Sequence, residues 1–325
     1  MNLRLTAATF AALALAACGA PSGPRAPVPA DGSIRIKAVP VALDSSNPAR
    51  QSVDGFQYAG GIQFSSGDTS LLGGLSDLKI TPDGTLTAET DEGALLTAHI
   101  VLDPAGKLVG LDHARIRMLT GLDGQALSSK EEADAEGVAV WPNGDLMVSF
   151  ERDDRVWLYP NGGRTPHVVP SPNVKMPYNE GMEGLALAPG EGPDAYWVGI
   201  EAGSIWLCRL QGACAQTPGQ FPPPAGFRLS GLADTPAHDL VVLNHAFSPL
   251  QGSRIVMSII DSPARNPTPR IKGQLHLAAP LVVDNFEGVA VVPRPNGMWR
   301  FYLIVDDNFS KLQRQLLVAF DWKPG

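Results

Sequence analysis

The amino-acid sequence predicts an all-β propeller of five or six blades, closed by strands from both ends of the chain. Three observations carry that reading. A strand–turn–strand phrase returns five times, from Gly74, Glu136, Glu183, Gly231 and Glu287. Its anchoring prolines (Pro82, Pro142, Pro189, Pro236, Pro293) are spaced by 60, 47, 47 and 57 residues. Periods of that size, with several strands per unit, belong to propellers. The 34 Gly and 29 Pro fall at turns between apolar runs, and no stretch keeps a helical period.

Residues 1–17 form a signal peptide: one positive charge at Arg4, an apolar run, then small residues. That run is too short to span a bilayer. Leu15-Ala16-Ala17-Cys18 resembles the lipobox of bacterial lipoproteins, which implies cleavage before Cys18 and acylation of its thiol. Gly19 fits sorting to the periplasmic face of the outer membrane. Residues 18–31 (CGAPSGPRAPVPAD) then read as a Pro/Gly/Ala-rich tether. Residues 32–325 are enough for one large β domain. The formal charge of −8 becomes −9 once Arg4 is removed, which argues against nucleic acid or an anionic membrane as the main partner. The membrane partner is expected through the lipid alone.

The N-terminal strands SIRIKAVPVAL (33–43) and FQYAGGIQFSS (56–66) are expected to pair with LLVAFDW (316–322) and close the ring. Cys208 and Cys214 flank a hairpin turn in WLCRLQGACAQ. They are expected to form a disulfide, which an exported compartment permits.

In a propeller blade the innermost strand lines the channel, and its entry lies on the same face as the turn after the second strand. Six residues before each anchoring proline stand Ser76, Glu136, Glu183, Ser230 and Glu287. The tips after the second strands hold Asp91, Glu151, Glu201, His245 and Asp306-Asp307, with Arg152, Asn244 and Asn308 beside them. Both sets should meet at one channel mouth. Clustered carboxylates repel unless a cation compensates them, and hard oxygen donors suit Ca²⁺. Glu136, Glu183 and Glu287 are the expected catalytic acids and bases. Glu151, Glu201, Asp306, Asp307 and Asp91 are the expected metal ligands. Arg152, His245, Asn244 and Asn308 are expected to hold substrate. Hydrogen bonding between blades is the alternative role for any one of these glutamates. No G-x-S-x-G, P-loop, H-E-x-x-H or dinucleotide fingerprint occurs.

The closing copy contains Asp306-Asp307-Asn308-Phe309-Ser310, then Gln313 and LLVAF, and resembles the end of the phytase-like family, described as having esterase-like activity of phytase. GGIQFSS, GLSDL, DAEGVAV, VSFERDDRVW and FSPL match the family as well, so the resemblance covers about residues 50–322. It implies a propeller, with six blades favoured by likeness to six-bladed phytases, and a hydrolase of phosphate or carboxylic esters. Two departures remove positive charge from the rim: Asn244-His245-Ala246 before FSPL, and Thr90-Asp91-Glu92-Gly93 in the first blade. They favour a neutral ester or a monophosphate over a highly phosphorylated substrate. A non-catalytic ligand- or protein-binding propeller and a lactonase-like small-molecule hydrolase are the alternatives.

Overall fold

The computed structural model describes residues 28–325 apart from Asn179 and Lys311, and leaves out the Asn296 side chain. The signal peptide, Cys18 and most of the tether lie outside the described residues.

Three N-terminal strands come first: β1 (Lys37–Pro40), β2 (Ser52–Val53) and the long β3 (Phe56–Ser65). The first blade is β4 (Leu75–Ile80), β5 (Thr85–Thr90), β6 (Ala94–Leu102) and β7 (Leu108–Met118). A one-turn helix α1 (Lys130–Ala133) leads into the second blade: β8 (Ala135–Val140), β9 (Leu146–Phe150), β10 (Arg155–Tyr159) and β11 (His167–Val169). The third is β12 (Gly184–Leu187), β13 (Ala195–Gly199), β14 (Ile205–Arg209) and β15 (Ala215–Gln216). The fourth is β16 (Arg228–Asp234), β17 (Leu240–Ser248), β18 (Gly252–Ile260) and β19 (Ile271–Ala278). The last three strands are β20 (Phe286–Pro293), β21 (Trp299–Val305) and β22 (Leu316–Trp322).

The fifth blade takes its outer strand from the other end of the chain, since β3 pairs antiparallel with β22. Inner strands β4, β8, β12, β16 and β20 contact one another in a closed circle. The ring therefore has five blades, and the expectation of six is corrected. The physical reason lies in β1 and β2. Both pair only with β3, on the edge away from β22, so no strand remains to build another inner wall. Residues 33–43 accordingly do not pair with LLVAFDW, although Leu43 and Val41 pack into the same core as Leu316, Val318 and Phe320. Ser33 instead bridges to Arg115 on β7. Phe56, Trp299, Phe301 and Trp322 knit the seam, with Phe56 5.6 Å from Phe301 and 5.7 Å from Trp322 between ring centroids.

The inner strands come close because four blades carry glycine after the entry residue. A Cβ on Gly137 would lie 2.8 Å from Leu185 Cβ in the next blade, and one on Gly288 would lie 2.7 Å from Asp77 Cα. Gly184 and Gly231 meet the next blade in the same way. Only the first blade departs, with Asp77 at this position. Its buried carboxylate accepts from Val138 N at 3.2 Å and Val289 N at 3.3 Å, tying the first blade to both neighbours. Lys79 Nζ lies 2.5 Å from Asp77 Oδ2 and also donates to the carbonyls of Leu232 and Val289. One ion pair thus plugs the axis. Beyond it, Pro82, Pro142, Pro189 and Trp141 line an apolar mouth of about 610 Å³. The opposite mouth is acidic.

Cys208 and Cys214 form a disulfide across the turn between β14 and β15.

Candidate functional site

Tight packing at the axis turns the entry residues of the second to fifth blades into the mouth above Asp77, whereas Ser76 of the first blade is buried and does not line it. Glu136, Glu183, Ser230 and Glu287 line one cavity of about 280 Å³ together with Asp91, Glu151, Glu201, His245, Asp306, Arg152 and Asn308. Repeat-equivalent residues are carried there by the rotation that relates the blades. The tips follow from strand register. Thr90, Phe150, Asn244 and Val305 each pair with the residue just before their own blade's entry position, so the next residue turns into the mouth.

Asp134 and Lys130 organise one side of the cavity. Lys130 Nζ lies 2.7 Å from Asp91 Oδ2 and 2.5 Å from Asp134 Oδ1. Burial works against the Lys130 charge, but these two carboxylates raise its pKa. Asp134 Oδ2 also accepts from Arg152 Nε. Arg152 has a left-handed φ of 66° and stacks over the Tyr178 ring at 5.1 Å. On the other side, Arg228 Nη1 bridges Glu201 at 2.8 Å and Glu180 at 3.0 Å. Asn285 Nδ2 donates to Glu287 Oε1 at 2.7 Å, and Asn308 N donates to Asp306 Oδ1 at 2.6 Å.

Eight carboxylates face three cations around this cavity, which leaves five negative charges in excess if all are ionised. Burial and mutual repulsion raise several of these acids. Burial, then Glu183 and other neighbours, pushes Glu136 well above the usual carboxylate range. Burial does the same to Glu183 and Glu287, reinforced by Glu201 and Asp306 respectively. These three glutamates are only partly exposed, and the surface they keep faces the confined mouth rather than open solvent. Asp306 rises to about 8 through burial and Asp91, and Glu151 to about 7 through burial and Asp134. Burial and then Arg254 lower His245 to about 4, so its imidazole is neutral at pH 7. Its Nε2 has no partner among the described residues.

Asp134, Glu136 and Glu151 each offer an oxygen within 4.8 Å of the others, which suits a hard cation held by carboxylates. Asp134 is absent from the expected ligand set, as are Lys130 and Arg228 from the expected rim. A signal for two of them exists. Asp134, Arg228 and Asn285 stand two residues before the entry position in three different blades, so the same alternation that aims the glutamates aims them. Lys130 comes from α1, which has no counterpart in the repeat. Lys130 and Arg228 also show that the mouth holds more positive charge than the rim motifs alone imply.

Two expected residues lie elsewhere. Asp307 Oδ1 accepts from Gly74 N at 2.9 Å and Phe309 N at 3.1 Å, in the neighbouring pocket that includes Gly73 and Phe309. It shapes the loop and does not line the acidic cavity. Asn244 is fully buried in β17, at the position that the core residues Phe150 and Val305 hold in their own blades, and its amide has no partner among the described residues. The strand alternation that turns His245 into the mouth turns Asn244 away from it.

Similarity to known proteins is of two kinds. Among solved structures, a gluconolactonase candidate is 15% identical over 91% of each chain, with a TM-score of 0.45. The Malassezia sympodialis allergen Mala s 1 is 14% identical over 87% of this chain and 96% of its own, with a TM-score of 0.46. Virginiamycin B lyase from Staphylococcus aureus is 9% identical over 88% and 99%, with a TM-score of 0.43. No curated protein sequence matches the chain. Residues 70–309, from the entry of the first blade to the last tip of the acidic mouth, match the family model for esterase-like activity of phytase, and the chain belongs to this phytase-like family.

Proposed function

We propose that this propeller is a metal-assisted hydrolase of phosphate or carboxylic esters, working at the acidic channel mouth. The observation that carries the reading is the convergence of eight carboxylates on one confined cavity, with oxygens of Asp134, Glu136 and Glu151 within 4.8 Å of one another. Such a set is unfavourable when fully ionised and empty, and favourable around a hard divalent cation. Asp134, Glu136 and Glu151 would hold Ca²⁺, in a cavity that Asp91 and Asp306 also line. When bound, the cation supplies charge stabilisation to a scissile phosphoryl or carbonyl group.

The remaining groups belong to this chain's own chemistry. Burial raises Glu183 and Glu287 above the usual carboxylate range, which moves them toward the pKa that proton transfer near neutral pH requires. Arg152 and Arg228 sit on opposite sides of the cavity, each already engaged by a carboxylate, so they can orient an anionic substrate without creating a strongly basic pocket. Neutral His245 can donate or accept a hydrogen bond. This balance favours a neutral ester or a monophosphate.

A panel of chromogenic phosphate esters, carboxylic esters and lactones, assayed with Ca²⁺ and with EDTA, tests the proposal. Turnover is expected only with the cation, reduced about 100-fold or more in Glu136→Gln. Cation binding by calorimetry without turnover of any ester would leave a binding propeller. Turnover unaffected by EDTA would remove the metal from the reaction.

A further inference from the structure

We infer a second ligand site, for a phosphate-class oxyanion with an apolar substituent, on the periphery between the first two blades. A cavity of about 550 Å³ lies there, lined by the outer strands of the first blade, the incoming segment at residues 28–32, and Arg164 from the loop after β10. Arg115 and Arg117 stand two apart on β7 and so share a face, opposite Thr97 and Leu95 on β6. Arg164 reaches the same cavity from the second blade, its backbone carbonyl accepting from Thr120 Oγ1.

The charges here are unbalanced in a protein whose net charge is −8. Three guanidinium groups line the cavity against one carboxylate, that of Asp31, which accepts from Ser33 N at 3.0 Å. Arg115 is occupied by the Asp31 carbonyl. Arg117 donates only to Met118 O, at 3.4 Å, and among the described residues neither Arg117 nor Arg164 pairs with a carboxylate. Burial, with Arg164 as a like-charged neighbour, lowers the Arg117 pKa. Two unpaired guanidinium forks facing one cavity are the donor set that recognises phosphate oxygens bidentately. Leu95, opposite Arg117, and Val28 add apolar lining, and the cavity has room for more than inorganic phosphate.

Two sources could supply this chemistry: a free phosphoester or the headgroup of an anionic lipid. The incoming chain bears on the second. Ile116 N donates to Gly32 O on the edge of β7, and Val28, the first described residue, lines this cavity. Ten residue steps separate Cys18 from Val28, a reach of at most about 35 Å. An anchor at Cys18 would keep the arginines close to a bilayer surface.

The experiment uses the full chain in EDTA, with glycerol 3-phosphate as the soluble probe in calorimetry. Co-sedimentation with phosphatidylcholine vesicles, with and without phosphatidylglycerol, is the second arm. Saturable binding of either probe is expected, weakened roughly tenfold or more in the Arg117→Gln/Arg164→Gln variant and unchanged in Asp306→Asn. Retention on phosphatidylglycerol vesicles that the double variant loses assigns the lipid source. Binding of glycerol 3-phosphate alone assigns a free phosphoester. If the double variant fails to melt cooperatively, Arg164→Gln, an exposed side chain, replaces it. Binding of neither probe, or binding that the arginine variants leave unchanged, overturns the inference.

Discussion

Replacing Asp306 by Asn isolates the electrostatic load at the acidic mouth. Asp306 is 6% exposed, and burial with Asp91 beside it lifts its pKa from 3.8 to about 8. An acid raised on folding contributes stability that is fully present below its unfolded pKa and is lost as pH climbs through the folded one. The cation-free protein should therefore weaken between about pH 4 and pH 8. Each tenfold change in proton affinity is worth about 1.4 kcal/mol, so keeping Asp306 ionised costs up to about 5 kcal/mol at pH 8. That figure is a ceiling, because Asp91, Glu151 and Asp306 share their protons as one set. Asn keeps the oxygen that accepts from Asn308 N but has nothing to ionise. Urea denaturation in EDTA at about pH 4.5 and pH 8 reads the effect. The two proteins should be nearly equally stable at the lower pH, and the Asn variant more stable by several kcal/mol at the higher. Added Ca²⁺ should narrow or reverse that order, since the chain that keeps the Asp306 carboxylate in the cavity gains more by mass action. Equal stability of the native protein at both pH values, without cation, would refute the reasoning.

Lys79→Met strands the buried Asp77 carboxylate at the axis and is expected to cost about 3–5 kcal/mol in chemical denaturation. Asp77→Asn/Lys79→Met should recover much of that loss, and a double variant no better than the single would contradict the ion-pair account. Reducing the Cys208–Cys214 bridge, six residues apart, should lower stability by about 2 kcal/mol, read as a melting shift with and without dithiothreitol. Two free thiols by mass spectrometry in the oxidised protein would remove the bridge. Deleting residues 316–325 strips β22, whose residues 316–320 are all buried, from the seam with β3. At about 1.5–3 kcal/mol for each large apolar side chain, that loss rivals the whole stability of a domain. Cooperative melting of the truncated protein at the native temperature would show that the seam is dispensable.

Periodic features of this chain were open to reading without coordinates. The strand–turn–strand phrase specifies blades because apolar alternation and turn residues are local, and five copies specify five inner walls. The rotation that relates blades also brings Glu136, Glu183 and Glu287 to one mouth with Glu151, Glu201 and Asp306. Features that break the period needed the folded chain. Lys130 enters from α1, outside any repeat, and its importance appears only once Asp91 and Asp134 are seen on either side of it. Asp77 replaces a glycine, a change whose meaning depends on how closely the neighbouring blades approach. Asn244 and Asp307 adjoin mouth residues in sequence, yet pleating turns the first into the core and a loop binds the second. Blade number was settled by pairing at a distance of some 250 residues, where β3 takes the free edge of β22 and leaves β1 and β2 on its far side. Such long-range pairing leaves no local mark, because either edge of β3 presents the same backbone donors and acceptors, and only the packed ring decides which partner each edge receives.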